Sequence, residues 1–137
     1  IAIGGAYNHR LNLSTGILIK NNHISSAGSV SSALKTIIKT NLHLPIEIEV
    51  DNFDQIQEAL IIGVDGFLLD NMSPDSIKEA VSIIRNSERG EDIFIEASGG
   101  ITDKNIVSYL DTGVNAISIG ALTHSATNKD IRLEFIS

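Results

Sequence analysis

Two stretches of this chain, fifty residues apart, carry the same pattern. Gly63-Val64-Asp65-Gly66-Phe67-Leu68-Leu69-Asp70 lines up with Gly113-Val114-Asn115-Ala116-Ile117-Ser118-Ile119-Gly120, and each follows an amphipathic segment. The interval fits two strand–helix units of about 25 residues each. Strands that alternate with helices demand a parallel sheet, because each crossover must return the chain to the same end. Short aliphatic runs predict strands over Ile17–Lys20, Ile46–Val50, Gly66–Asp70, Ile93–Ser98 and Ala116–Gly120. Apolar residues at i, i+3, i+4 and i+7 predict helices over Ser29–Thr40, Asp54–Ile62, Ser73–Asn86 and Thr102–Thr112. Their inward faces are Val30, Ala33, Leu34 and Ile37; Ile56, Ala59 and Leu60; Ile77, Ala80, Val81 and Ile84; and Ile106, Val107 and Leu110. Ser73-Pro74 reads as an N-cap and first helical residue, and Gly63 and Gly113 as stops.

The fold class expected is α/β, with parallel βα units forming part of an incomplete, TIM-like barrel. Five strands do not close an eight-stranded barrel, which needs about 250 residues. The opening Ile1-Ala2-Ile3-Gly4-Gly5 has no initiator Met, so the chain is expected to be the later part of a longer protein. With 42% hydrophobic and 20% charged residues, the composition is that of one folded domain. The net charge of −7, four Phe, two Tyr and no Trp argue against a nucleic-acid partner. No apolar run approaches the length of a membrane span. Absent cysteine excludes disulfides, thiolate metal sites and a cysteine nucleophile, and fits a cytoplasmic setting.

Polar residues mark one end of the strands. In Ile46-Glu47-Ile48-Glu49-Val50 the aliphatics share one face and the glutamates the other. That pattern suits an edge strand with acids in water, or a strand whose glutamates point into a barrel mouth. The other strands favour the second reading. Lys20, Glu49, Asp70, Ser98 and Gly120 each end a run, and parallel strands bring such ends to one rim, where α/β proteins bind ligands. Ala97-Ser98-Gly99-Gly100 and Ile119-Gly120-Ala121 read as a phosphate cradle of backbone N–H groups, each opening a helix or turn. Ordinary tight turns would have the same composition. His9-Arg10 and Lys20 supply cations, Arg10 as a two-pronged clamp for carboxylate or phosphate. Glu49 and Asp70 could hold a divalent cation or accept hydrogen bonds from sugar hydroxyls. His23 and His43 are read as structural. The set suggests a phosphorylated sugar and a second, acidic substrate.

Six ordered motifs then carry a resemblance. They are Asn8-His9-Arg10-Leu11, the segment from Ile17 to Ile24, Glu47-Ile48-Glu49-Val50-Asp51, Leu69-Asp70-Asn71-Met72-Ser73, Glu96-Ala97-Ser98-Gly99-Gly100-Ile101 and the segment from Gly120 to Ser125. Together they closely resemble the C-terminal half of the quinolinate phosphoribosyltransferases, the carboxylating nicotinate-nucleotide pyrophosphorylases. The resemblance implies that residues 1–137 are the C-terminal portion of the barrel domain, with an N-terminal sandwich domain and the first barrel segment missing. It implies transfer from phosphoribosyl pyrophosphate to quinolinate with Mg²⁺, in a homodimer or larger homo-oligomer, and no turnover from this chain alone. His9, Arg10 and Lys20 match the cluster facing the quinolinate carboxylates. Glu49 and Asp70 match acids near the ribose and the metal, and with Lys20 are the expected catalytic residues. Ser98, Gly99, Gly100, Ile119, Gly120 and Ala121 match the loops around substrate phosphates, and His124 a histidine beside them. Asn12 and Asn21 stand where the family usually has Gly and Asp. The alternatives are a phosphate-binding barrel fragment without catalysis, and a same-fold relative with another substrate, such as the molybdenum-transport-associated homologues.

Overall fold

Each strand of this chain begins by hydrogen bonding to its neighbour, and the repeated motif shows how. In the computed structural model, which describes residues 2–8 and 14–135, Asp65 Oδ2 accepts the Ile46 N–H at 2.9 Å while Asp65 N–H donates to Ile46 O at 2.8 Å. Asn115 repeats the clasp fifty residues on, at the same place in the second copy of the motif. Its Oδ1 accepts the Ile95 N–H at 2.8 Å, and its N–H donates to Ile95 O at 2.8 Å. The sequence echo is therefore a structural device: a short polar side chain pins the next strand in register with the one before it. Both Asp and Asn serve because each presents an acceptor at the same distance from the backbone.

Five strands, β1 (Ile17–Ile19), β2 (Ile46–Val50), β3 (Gly66–Asp70), β4 (Phe94–Ser98) and β5 (Ala116–Ile117), form one parallel sheet in sequential order. The crossovers carry α1 (Asn21–Ala27), α2 (Val30–Ile38), α3 (Phe53–Ile62) and α4 (Pro74–Arg85), and α5 (Ala121–His124) follows β5. This is an arc of an α/β barrel, as expected. The starts of α2, α3 and α4 are capped by side chains. Ser29, Asn52 and Ser73 accept N–H bonds from Ser32, Gln55 and Ser76, at 3.0, 3.0 and 3.2 Å, each cap contributing about 1 kcal/mol. Ile48, Val50, Phe67, Leu69 and Ile95 on one face of the sheet pack with Leu34, Ile56, Ile77 and Ile84 from the helices, all fully buried. Burying such a side chain stabilises the fold by about 1.5–3 kcal/mol. Among the described residues no helix is long and apolar enough to cross a membrane.

Three expectations need correction. The helix predicted from Ser29 is preceded by a separate one, α1, which shows a single buried residue, Ile24, and so has no apolar stripe to announce it. Strand β1 stops at Ile19 and β5 at Ile117, so Lys20 and Gly120 lie just past their strands as cap residues. The helix predicted over Thr102–Thr112 is instead a turn and a short 3₁₀ segment, Ile106–Tyr109. Asn105 explains it: its Oδ1 accepts the Thr102 N–H at 2.7 Å and its Nδ2 donates to Gly100 O at 3.0 Å. These local bonds offer the backbone an alternative to helical pairing. Tyr109 fills the core position in that segment and Ile106 packs against the core, while Val107 and Leu110, predicted inward, are 72% and 62% exposed.

Candidate active site

Strand register decides which residues share the face opposite the helices. Leu18, Glu47, Gly66 and Phe94 form one row. Glu49, Leu68, Glu96 and Ala116 form the next, and Asp70 and Ser98 pair above them. Both glutamates of β2 therefore face the barrel interior, because Ile48 and Val50 belong to the helix-side core. At the C-terminal end of this face lie Lys20, Glu49, Asp70, Ser98 and Gly120, on five adjacent strands or just past them. Neighbouring strands are about 4.8 Å apart, so each of these positions adjoins the next along the rim. His9 and Arg10 fall outside the described residues.

The acids are held differently. Lys20 Nζ lies 3.9 Å from Glu49 Oε2, with Lys20 55% and Glu49 15% exposed. A pair this long with its lysine in solvent contributes about 0–1 kcal/mol, so a ligand anion can draw the lysine away at little cost. Glu49 Oε1 also receives the Asn21 N–H at 3.5 Å. His23, read as structural, has its Nδ1 accepting the Lys20 N–H at 2.9 Å, at the turn that carries the lysine. The Asp70 carboxylate, half-buried, accepts a hydrogen bond from Asn71 Nδ2 at 2.8 Å.

The glycine loops present unpaired donors. Among the described residues, none accepts the N–H of Gly99, Gly100, Gly120 or Ala121. Gly99 and Gly100 both adopt left-handed backbone, with φ of 88° and 62°, which glycine reaches without strain. The expected helix opening at Gly100 is absent, for the reason given above. After β5, α5 starts at Ala121, and His124 Nε2 lies 3.4 Å from where a Cβ on Gly120 would stand. Gly120 thus leaves room for the imidazole, whose Nδ1 meets Ser125 Oγ at 2.8 Å. Ile119 is half-buried against the core, so it contributes backbone to this loop.

Sequence reasoning passed over two residues of this face. Glu96 is 3% exposed and points inward, where Ser118 Oγ donates to its Oε1. The alternation Phe94, Glu96, Ser98 was the available signal. Asn71, directly after Asp70, bridges the acid and the next loop. A cavity of about 270 Å³, lined by Leu18, Pro45, Glu47, Gly66 and Phe94, opens at the other end of the strands. In α/β barrels the chemistry belongs to the C-terminal face, and the unpaired N–H groups and the Lys20–Glu49 pair are found there.

Residues 1–134 match the family described as quinolinate phosphoribosyl transferase, C-terminal domain. The chain belongs to that family. It is 38% identical over 135 residues to the probable carboxylating nicotinate-nucleotide pyrophosphorylase of Bacillus subtilis, covering 98% of this chain and 45% of that protein. The solved nicotinate-nucleotide pyrophosphorylase of Ehrlichia chaffeensis is 43% identical with a TM-score of 0.84, covering 94% of this chain and 45% of that one. The chain thus spans about half the length of the relatives it matches. Thiamine phosphate pyrophosphorylase from Pyrococcus furiosus shares the fold alone, with 21% identity, a TM-score of 0.51, and coverage of 77% of this chain and 48% of that one.

Proposed function

We propose that this quinolinate phosphoribosyl transferase domain supplies the ribose- and phosphate-binding rim of an enzyme that joins quinolinate to the phosphoribosyl group of phosphoribosyl pyrophosphate. The products are nicotinate mononucleotide, pyrophosphate and CO₂, a step of NAD synthesis. One observation carries the reading: carboxylates and unpaired backbone N–H groups lie side by side along one rim, in a family whose relatives bear the pyrophosphorylase name.

The reaction breaks the bond between ribose C1 and a pyrophosphate oxygen and forms one between C1 and the pyridine nitrogen. As the first bond lengthens, the ribose gains positive charge and the pyrophosphate negative charge. Glu49 and Asp70 face the developing cation. The Ser98–Gly100 and Ile119–Ala121 loops hold the phosphate of the sugar through N–H groups already in place, which need no reorganisation during the reaction. Lys20, with His9 and Arg10 of the preceding segment, holds the quinolinate carboxylates and aims the nitrogen at C1. The carboxylate beside that nitrogen then leaves as CO₂, and a proton takes its place.

The residues also fit Mg²⁺. Among the described residues no cluster of three or more potential ligands exists, and Mg²⁺ in such sites takes one or two carboxylates plus substrate phosphate oxygens and water. Glu49 and Asp70 are the hard oxygen donors at the C-terminal rim that would hold it, and Mg²⁺ would neutralise charge on the departing pyrophosphate.

The test is pyrophosphate release by this chain joined to the N-terminal half of the Bacillus subtilis relative. Release should depend on quinolinate, and Asp70→Asn should lower kcat by about 10–100-fold, as expected for loss of a charge interaction of about 1.5–3 kcal/mol. A folded assembly without quinolinate-dependent release would refute the proposal.

A further inference from the structure

We propose that Asn71 is a positioning residue that sets Asp70 and the Ser98–Gly100 loop as one unit. The inference rests on the reading above that this rim binds a phosphorylated sugar. Asn71 is exposed, so packing does not explain it. Its φ is 55°, a left-handed conformation in which Asn is among the more tolerated residues after Gly. A glycine would adopt that backbone without strain, so the presence of Asn points to a use for its side chain.

Its contacts show that use. Asn71 Nδ2 donates to Asp70 Oδ2 at 2.8 Å, the one hydrogen bond the Asp70 carboxylate accepts among the described residues. Asn71 N–H donates to Ser98 O at 2.9 Å, closing the ladder at the last pair of β3 and β4, Asp70 with Ser98. A Cβ built on Gly99 would stand 2.6 Å from Asn71 Oδ1 and 2.7 Å from its backbone nitrogen. The loop after β4 therefore lies directly against Asn71, and a side chain at Gly99 would force one of them to move. The side chain fixes the acid that faces the ribose, and the backbone fixes the loop that offers N–H groups to the phosphate. Asp in its place would keep the turn but set a second carboxylate beside Asp70.

The test uses the full chain with Asn71→Gly, Asn71→Asp, Asp70→Asn and the Asn71→Gly/Asp70→Asn double variant. Affinity for phosphoribosyl pyrophosphate with Mg²⁺ is measured by calorimetry, and the Asp70 side-chain rotamer by NMR scalar couplings. Asn71→Gly should weaken binding about tenfold with Asp70 present and by less than about twofold in the Asp70→Asn background, since a residue acting through another loses its effect when that other is gone. Asn71→Asp should weaken binding further still. In Asn71→Gly the Asp70 χ1 should average over rotamers. Equal losses in both backgrounds, or an Asp70 rotamer unchanged in Asn71→Gly, would overturn the proposal. If the unaltered chain fails to bind phosphoribosyl pyrophosphate, the substrate reading fails, and the Asp70 rotamer still decides the role of Asn71.

Discussion

Alanine at Gly99 should be among the costliest single-methyl additions in this domain, and its cost can be separated into two parts. At φ of 88° any side chain pays for left-handed backbone, about 1–2 kcal/mol. The new Cβ would also lie 2.6 Å from Asn71 Cγ and Oδ1 and 2.7 Å from its backbone nitrogen. The nitrogen cannot swing aside, because its N–H is bonded to Ser98 O at 2.9 Å. Overpacking of this kind adds about 1–3 kcal/mol, so the total is about 2–5 kcal/mol. Gly28 isolates the first part: its φ is 86° and its Cβ would meet nothing within 4 Å. Gly28→Ala should therefore cost only about 1–2 kcal/mol. Urea unfolding followed by circular dichroism reads both, with m held constant as the sign that the denatured state is unchanged. At about 3 °C per kcal/mol for a domain of this size, the Gly99 variant should melt several degrees below the Gly28 variant. Equal stabilities would refute the argument that Asn71 occupies the space Gly99 leaves open.

Other substitutions test the remaining claims. Glu58 Oε1 accepts the Ser31 N–H at 2.8 Å near the start of α2, and that bond, aided by the Ser31 and Ser29 hydroxyls and Lys35, holds its carboxyl below the usual range. A lowered value stabilises the fold above the ordinary pKa of 4.5 and is lost as pH falls through the folded value. Glu58→Gln should thus flatten the fall in melting temperature on acidification through that range. Asp65→Asn should cost under about 0.5 kcal/mol, because Asn115 makes the same clasp, whereas Asp65→Ala should cost about 1–2 kcal/mol by leaving the Ile46 N–H unpaired; urea midpoints distinguish them. Val107→Lys should change stability by less than about 0.5 kcal/mol, while Ile84→Ala should cost about 2–5 kcal/mol; thermal melting would show comparable losses for both if the predicted helix over Thr102–Thr112 formed with Val107 inward.

What could be read directly from the residues was the alternation of strands and helices and the order of the polar strand ends. Ile48 and Val50 against Glu47 and Glu49 obey a period of two, and helix faces such as Ile77, Ala80 and Ile84 obey one near 3.6. Both periods arise from backbone geometry alone, so they survive in the linear text. The helix over Asn21–Ala27 did not, because six of its seven residues escape burial and leave no period to detect. Nor did the loss of the Thr102–Thr112 helix, which turns on a hydrogen bond from Asn105 to Gly100, five residues back.

The alternation within β2 left open which way its glutamates face, since an edge strand and a barrel wall share it, and only the polar ends of the other strands favoured the barrel interior. The parallel register of five strands settled it, by giving one face to the helices and leaving the other to the acids. The meeting of Asn71, Asp70, Ser98 and Gly99 was equally hidden. Asn71 and Gly99 stand 28 residues apart in the chain, and only pairing of β3 with β4 in one register brings the first against the second. Local periodicity records what each segment wants to bury; long-range strand pairing decides which polar groups must then share a space.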